Sequence, residues 1–232
     1  MDYFITGGTG FIGRYLIERL LKRDGTVYVL VREGSRGRLE EMRSGWGEEA
    51  DRVVPVIGDL SQPNLGLDAD KIAELKGKID AFYHLAAIYD MEANEEAIRI
   101  GNIEGTINAV DLANQLEVGC FNHASSIAAA GLFKGTWRED FFDEAENLDK
   151  HPYFRTKHES ERIVRERLTV PWRVYRPGVV VGDSETGQMD KIDGPYYFFK
   201  LIQKLRDVLP PWAPTIGVEG KQINVVPVNF VA

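Results

Sequence analysis

Tyr153-Phe154-Arg155-Thr156-Lys157 sets a phenol and an ammonium four residues apart. On a helix, positions i and i+4 share a face. A lysine beside a phenol stabilises the phenolate and lowers its pKa from about 10 toward working pH. Tyr153 is then a usable general acid. Ser125-Ser126 follows an apolar run at 120–124. A hydroxyl at such a strand end can hydrogen-bond a substrate carbonyl and position it. Taken alone, a Tyr and a Lys at this spacing are an ordinary surface pair on a helix. What stands upstream decides between the two.

Upstream, Thr6-Gly7-Gly8-Thr9-Gly10-Phe11-Ile12-Gly13 lies between an apolar run, Tyr3-Phe4-Ile5, and a helical pattern beginning at Tyr15. Strand, glycine turn and helix together make a dinucleotide site. Gly7 permits the turn, Gly10 lets the backbone approach a pyrophosphate, and Gly13 lets the helix pack close. The free N–H groups of the helix N-terminus then face the phosphates, so Gly7, Thr9, Gly10, Phe11, Ile12 and Gly13 form the expected cofactor turn. The second apolar run ends in Arg32, where an NAD site carries an acidic residue for the ribose 2′-hydroxyl. A guanidinium there complements the 2′-phosphate of NADP, with Ser35, Arg36 or Arg38 adding donors. Glu33 should point away. The plain alternative is a surface arginine. Asp59-Leu60 can accept from the adenine amino group and pack on its ring, although a turn Asp fits as well. His84-Leu85-Ala86-Ala87 offers small residues against which a cofactor can lie. His84 has no metal-ligand partner at suitable spacing and reads as a hydrogen-bonded residue at a strand end; no metal is expected.

The elements that must position these groups alternate. Residues 2–6, 27–31, 53–57, 81–84, 119–123 and 172–175 read as strands, and 11–23, 36–46, 68–76, 92–116 and 153–168 as helices. Near-continuous apolar strands joined by helices imply a parallel sheet covered on both faces. The expected fold is α/β: a doubly wound Rossmann-type sheet with ligand sites at the carboxyl ends of the strands. Residues 1–182 should form the NADP-binding domain. From about 183 the alternation gives way to Gly, Pro and aromatics, including Tyr196-Tyr197-Phe198-Phe199 and Trp212. Residues 183–232 therefore read as a small, incomplete substrate-binding region rather than more sheet, in a chain that is an N-terminal piece of something longer.

At 232 residues, 44% hydrophobic and 28% charged, the chain is ordinary for a soluble globular domain. A net charge of −8 argues against nucleic acid and anionic membrane surfaces as partners. The one cysteine, Cys120, excludes an internal disulfide and reads as a buried small hydrophobe in a strand. Neither a signal peptide nor a transmembrane run is apparent, so a cytoplasmic location is the default. A homo-oligomer stays open.

Together these residues resemble the extended short-chain dehydrogenase/reductase superfamily. The motifs are Gly7-x2-Gly10-x2-Gly13, Asp59-Leu60, His84-Leu85-Ala86-Ala87, Asn102, Ser125-Ser126, Tyr153-x3-Lys157 and Arg176-Pro177-Gly178. The resemblance implies that Asn102 supports a proton relay with Ser126, Tyr153 and Lys157, Ser126 being the better match to the catalytic serine. It also places Pro177, Gly178 and Val179 beside the nicotinamide, and His84, Leu85, Ala86 and Ser125 on the cofactor side. Within the superfamily the chain is most similar to the N-terminal reductase domain of bacterial NADPH-dependent fatty acyl-CoA reductases, through Val29 to Glu33, Ser125 to Gly131, His151-Pro152-Tyr153 and Asp193 to Phe199. That implies NADPH as cofactor, a long-chain acyl-CoA or fatty aldehyde as small-molecule substrate, and a C-terminal reductase domain in the full-length chain. An epimerase or ketone reductase, or a non-catalytic NADP-binding sensor, is the alternative on the same scaffold.

Overall fold

The computed structural model describes residues 1–87, 95–189, 195–208 and 223–232. Six strands, β1 (Asp2–Thr6), β2 (Val27–Val31), β3 (Val53–Ile57), β4 (Ile79–His84), β5 (Cys120–Ala124) and β6 (Trp172–Tyr175), form one sheet in the order β3-β2-β1-β4-β5-β6. Every pairing in it is parallel. The order reverses between β1 and β4, and a doubly wound sheet opens a ligand crevice at such a switch point, at the carboxyl ends of the strands.

Alternation along each strand builds a core on both faces. Phe4, Leu30, Val56, Phe82 and Phe121 bury on one side, and Tyr3, Ile5, Val27, Val29 and Val53 on the other. Phe4, Phe82 and Phe121 are in register across β1, β4 and β5. Their rings stack at 4.8 and 5.1 Å. Helix α1 (Phe11–Leu20) and α2 (Arg36–Ser44) cover the second face through Leu16, Ile17, Leu20 and Leu39. Helix α3 (Ala69–Leu75), α5 (Gly105–Leu116) and α6 (Pro152–Arg167) cover the first through Leu75, Leu112, Leu116, Ile163 and Val164.

Three local differences from the sequence expectation bear on the site. The helix expected over 92–116 is interrupted: α4 (Glu95–Arg99) passes into a π turn at Ile100–Glu104 before α5, and this turn carries the buried Asn102. Residues 92–94 lie outside the described segments. Helix α6 begins at Pro152, with His151 as N-cap accepting from the Tyr153 N–H at 3.1 Å. Cys120 is half-buried rather than buried, because it opens β5 instead of lying inside it.

The chain divides after Gly178, a few residues before the boundary drawn from the loss of alternation. In the second unit, β7 (Val179–Val181) pairs in parallel with β8 (Val225–Pro227), followed by α8 (Val228–Val231). The expectation of no further sheet in this region is corrected by that pair, whose three-residue strands are too short to show alternation. Helix α7 (Pro195–Val208) belongs to the same unit, and its Tyr196 hydroxyl accepts from the Gly182 N–H at 2.7 Å. Trp212, residues 193–194 and the side chains of Tyr197, Phe198 and Phe199 lie outside the described residues. Among the described residues no helix is long and apolar enough to cross a membrane.

Two buried histidines should make this fold acid-sensitive. His84 and His123 stack at 5.5 Å beneath the sheet's carboxyl end. Burial, then the Lys157 ammonium, pushes His84 down to about 3. Burial, His84 and Lys157 hold His123 well below the usual imidazole range. Unfolded, both rings bind a proton near pH 6.5, so below that pH the unfolded state holds more protons and stability falls with pH. Each ring should cost about 1.4 kcal/mol per pH unit, for His84 from about 6.5 down to about 3. Denaturant titrations at pH 7 and pH 5 measure this; equal stability at the two would contradict it.

Candidate active site

A cleft of about 740 Å³ opens at the carboxyl ends of β1 to β4. That is the size range of small-molecule and cofactor pockets. Gly7, Thr9 and Gly10 form its floor. Gly7 sits at φ +75°, and a Cβ there would stand 2.6 Å from the Ala86 nitrogen. A Cβ on Gly13 would stand 2.3 Å from the Gly7 oxygen, so only glycine lets α1 approach the turn. Gly10 is the N-cap of α1, with no side-chain cap and no acidic residue in the first turn. The free N–H groups and partial positive charge there suit a phosphate. These features fit a dinucleotide.

Arg32, Ser35 and Arg38 line the end of the cleft beyond β2, and neither Glu33 nor Arg36 does. Asp59 and Leu60 line the wall beyond β3. Asp59 Oδ1 accepts from the N–H and the hydroxyl of Ser61, both at 2.8 Å. These bonds, with the Arg32 charge, outweigh burial and hold its carboxyl below the usual range. Asp59 is thus both a turn residue and a wall residue. Leu85 and Ala86 line the opposite side. Ala97 of α4 and Gly101 of the π turn, which sequence reasoning did not single out, join them.

His84, expected on the cofactor side, does not line the cleft. It lies behind the wall, Nδ1 2.7 Å from Thr6 Oγ1 and Nε2 3.1 Å from Thr106 Oγ1. Phe11 and Ile12 also stand outside the lining; their place is the first turn of α1.

Lys157 and Ser126 stand at the end of β5. Lys157 is buried, and its Nζ donates to the Ala124 carbonyl at 3.1 Å, tying α6 to the strand end. Burial lowers Lys157 to about 8. At pH 7 it is still roughly nine-tenths protonated. Tyr153, one turn earlier, is half-buried. Ser126 caps the 3₁₀ turn Ile127–Ala130, its Oγ accepting from the Ala128 N–H at 3.1 Å. Asn102 Nδ2 donates to Thr156 Oγ1 at 3.3 Å on the same helix. Ile127 N–H donates to the Pro177 carbonyl at 3.1 Å, which brings the Arg176-Pro177-Gly178 segment beside the serine loop. Val179 opens β7 in the second unit.

Ser125, expected on the cofactor side, turns its hydroxyl the other way and donates to Glu161 Oε2 at 2.9 Å. Glu161 escaped sequence reasoning. It is 0% exposed, yet it carries a carboxylate. Arg176 donates Nε to Oε2 at 3.0 Å and Nη2 to Oε1 at 2.5 Å; Arg165 donates Nε and Nη2 to Oε1 at 3.0 and 2.8 Å. Burial pushes Glu161 up, but Arg176, Arg165 and Ser125 together hold it below the usual carboxylate range. Arg176 also lies 4.0 Å over the Trp137 ring and donates to the Glu139 carbonyl at 3.2 Å. One carboxylate therefore clamps the serine loop, the Arg176-Pro177 segment and the 137–139 loop. The available signal was Glu161 one turn after Lys157, with Arg165 a turn further on.

The chain is similar to several known proteins. The chain is 34% identical over 204 residues, 82% of its length, to a linear gramicidin synthase polypeptide of Brevibacillus parabrevis, of which it covers 4%. It is 30% identical over 227 residues, 79% of its length, to a Drosophila melanogaster protein provisionally named a fatty acyl-CoA reductase, of which it covers 42%. The terminal R domain of the myxalamid PKS-NRPS biosynthetic pathway superposes with a TM-score of 0.82 at 30% identity, over 99% of this chain and 59% of that one. The chain thus spans less than half of these curated relatives. The NAD-binding family model described as male sterility protein matches residues 5–232. With its six-stranded parallel sheet and glycine turn, the chain belongs to that family, within the extended short-chain dehydrogenase/reductases.

Proposed function

We propose that the protein reduces an acyl thioester to the aldehyde with NADPH. The observation that carries this is buried Lys157 bonded to the Ala124 carbonyl at the end of β5, two residues before Ser126 and on the helix that bears Tyr153, in a chain whose cleft carries Arg32 and Arg38. Bound NADPH would supply the hydride. Ser126 and Tyr153 hydrogen-bond the thioester oxygen as negative charge develops on it. Tyr153 gives its proton to that oxygen. The protonated Lys157 stabilises the phenolate left behind. The resulting hemithioacetal breaks its C–S bond, the thiol leaves with a proton, and an aldehyde remains. The protein orients and polarises, and the cofactor carries the redox step.

Long-chain acyl-CoA is the proposed substrate, in keeping with the name of the Drosophila relative. The gramicidin synthase and the myxalamid R domain, both named for peptide assembly, support a second carrier, a thiol held on a protein. NADPH oxidation at 340 nm, with aldehyde release measured alongside, on palmitoyl-CoA and on the same acyl group carried by a protein thiol tests the proposal and separates the carriers. Turnover of a nucleotide sugar with neither thioester consumed would overturn it.

Arg32 is the proposed contact to the 2′-phosphate, with Ser35 and Arg38 beside it. Arg32→Ala should weaken NADPH by roughly 10-fold or more, the loss of a charge-assisted hydrogen bond. NADH binding should stay within about 2-fold, since NADH lacks the phosphate. An unchanged NADPH-to-NADH ratio refutes the contact.

A further inference from the structure

A file of buried hydroxyl, imidazole and amide groups runs behind the cleft wall. The Ala86 N–H, on the wall, donates to Thr6 Oγ1 at 3.4 Å. Thr6 Oγ1 meets His84 Nδ1, and His84 Nε2 meets Thr106 Oγ1. Thr106 Oγ1 donates to the Asn102 carbonyl at 2.6 Å. Asn102 Nδ2 reaches Thr156 Oγ1, which donates to the Tyr153 carbonyl at 3.2 Å. Thr6, His84, Thr106, Asn102 and Thr156 are each 2% exposed or less.

One tautomer of His84 satisfies every bond of the file. Thr106 has one hydroxyl hydrogen, and a carbonyl can only accept it, so Thr106 must accept from His84 Nε2–H. A neutral imidazole then has Nδ1 bare, and Thr6 donates to it while accepting from Ala86. Each threonine hydroxyl in the file then donates once and accepts once, and each nitrogen has a single role. The file ends on a peptide N–H and a peptide carbonyl, so it carries no proton through; it fixes distances. It crosses β1, β4, α5, the π turn and α6, and joins the cofactor wall to the first turn of the helix that bears Tyr153.

We infer that His84 and Thr106 are positioning residues that couple the cofactor wall at Ala86 to the aim of Tyr153, resting on the thioester-reductase assignment above. Coupling of this kind is reciprocal: breaking the file should disturb both cofactor affinity and turnover.

Thr106→Val removes both of its bonds at nearly constant shape, and Thr106→Ser keeps the hydroxyl. Turnover of palmitoyl-CoA gives kcat and KM; quenching of protein fluorescence on titration with NADPH gives its Kd. In the Val variant kcat should fall about 10- to 100-fold, as expected for a misplacement of roughly 1 Å, with the acyl-CoA KM within about 3-fold. NADPH should bind about 5-fold more weakly or worse. The Ser variant should return both to within about 3-fold of wild type. A Val variant that loses only thermal stability, with wild-type kcat and Kd, overturns the coupling, and so does a folded Ser variant as defective as Val. If Thr106→Val does not fold, Thr156→Val breaks the same file at its far end and should show the same two losses; wild-type values there overturn the inference. A wild-type protein that binds NADPH but reduces no acyl thioester would defeat the substrate assignment alone. The Kd arm would still decide the coupling, with unchanged NADPH affinity in Thr106→Val counting against it.

Discussion

Replacing Tyr153 by Phe should lower kcat by about 10²- to 10⁴-fold, the range for losing a positioned general acid. Only the hydroxyl is removed, so the ring keeps its half-buried place in the first turn of α6. The cap from His151 uses the backbone N–H and survives the change. Cofactor affinity should therefore stay within about 3-fold, and the loss should fall on kcat and kcat/KM alike, the pattern of an interaction made in the transition state. The wild-type rate should also decline as pH rises past about 8, where buried Lys157 gives up its proton and the phenolate loses its stabilising charge. Steady-state kinetics of the two proteins from pH 6 to about 9.5 contain both readouts. A Tyr153→Phe variant with more than about a tenth of wild-type kcat would remove Tyr153 as the acid.

Glu161→Gln should be the most destabilising single change in the site. The carboxylate is fully buried and takes bonds from two arginines, and the Arg176 side chain is itself only 12% exposed. Removing one partner of such a pair strands the other charge and costs about 3–5 kcal/mol. Against a total stability of about 5–15 kcal/mol that is a large share. For a chain of this size it corresponds to a Tm lower by roughly 6–20 °C. The sign of the pH dependence follows from the direction of the shift. Folded Glu161 lies below its ordinary value of 4.5, so its contribution is complete above that pH and is lost as pH falls through the folded value. The gap between wild type and Glu161→Gln should accordingly close in acid. Thermal melts at pH 7 and at pH 4 measure it; a Gln variant within about 1 kcal/mol of wild type at pH 7 would show that Arg165 and Arg176 find other partners.

Much of the scaffold was legible because its signals are local. Val27-Tyr28-Val29-Leu30-Val31 can be little other than a strand buried on both faces, and it is one. Gly7 and Gly13 announce close backbone approaches that the structure contains at 2.6 and 2.3 Å. The cleft groups Arg32, Ser35, Arg38, Asp59 and Leu60 come together because strand ends in a parallel sheet all face one side. What was not legible depends on partners distant in sequence. Glu161 drew no reading from the sequence. Its burial is decided by Arg176 from the end of β6 and by Ser125 from the end of β5. The same carboxylate turns the Ser125 hydroxyl inward, while Ser126, the serine preferred from the resemblance, caps the turn that follows. His84 was recognisable as a hydrogen-bonded residue, but its partners Thr6 and Thr106 lie 78 and 22 residues away. The π turn at Ile100–Glu104 has no helix-breaking proline to mark it, and it brings Asn102 and Gly101 to opposite sides of the cleft wall.

The central claim is that a hydride passes from NADPH to a thioester carbon under the aim of Ser126, Tyr153 and Lys157. Incubating the protein with palmitoyl-CoA and NADPH carrying deuterium at the transferable C4 position, then analysing the aldehyde by mass spectrometry, tests it most directly. The account predicts one deuterium at the former thioester carbon, an equivalent of free coenzyme A, and loss of both products in Tyr153→Phe. An aldehyde without the label, or labelled cofactor consumed with no thiol released, would contradict it.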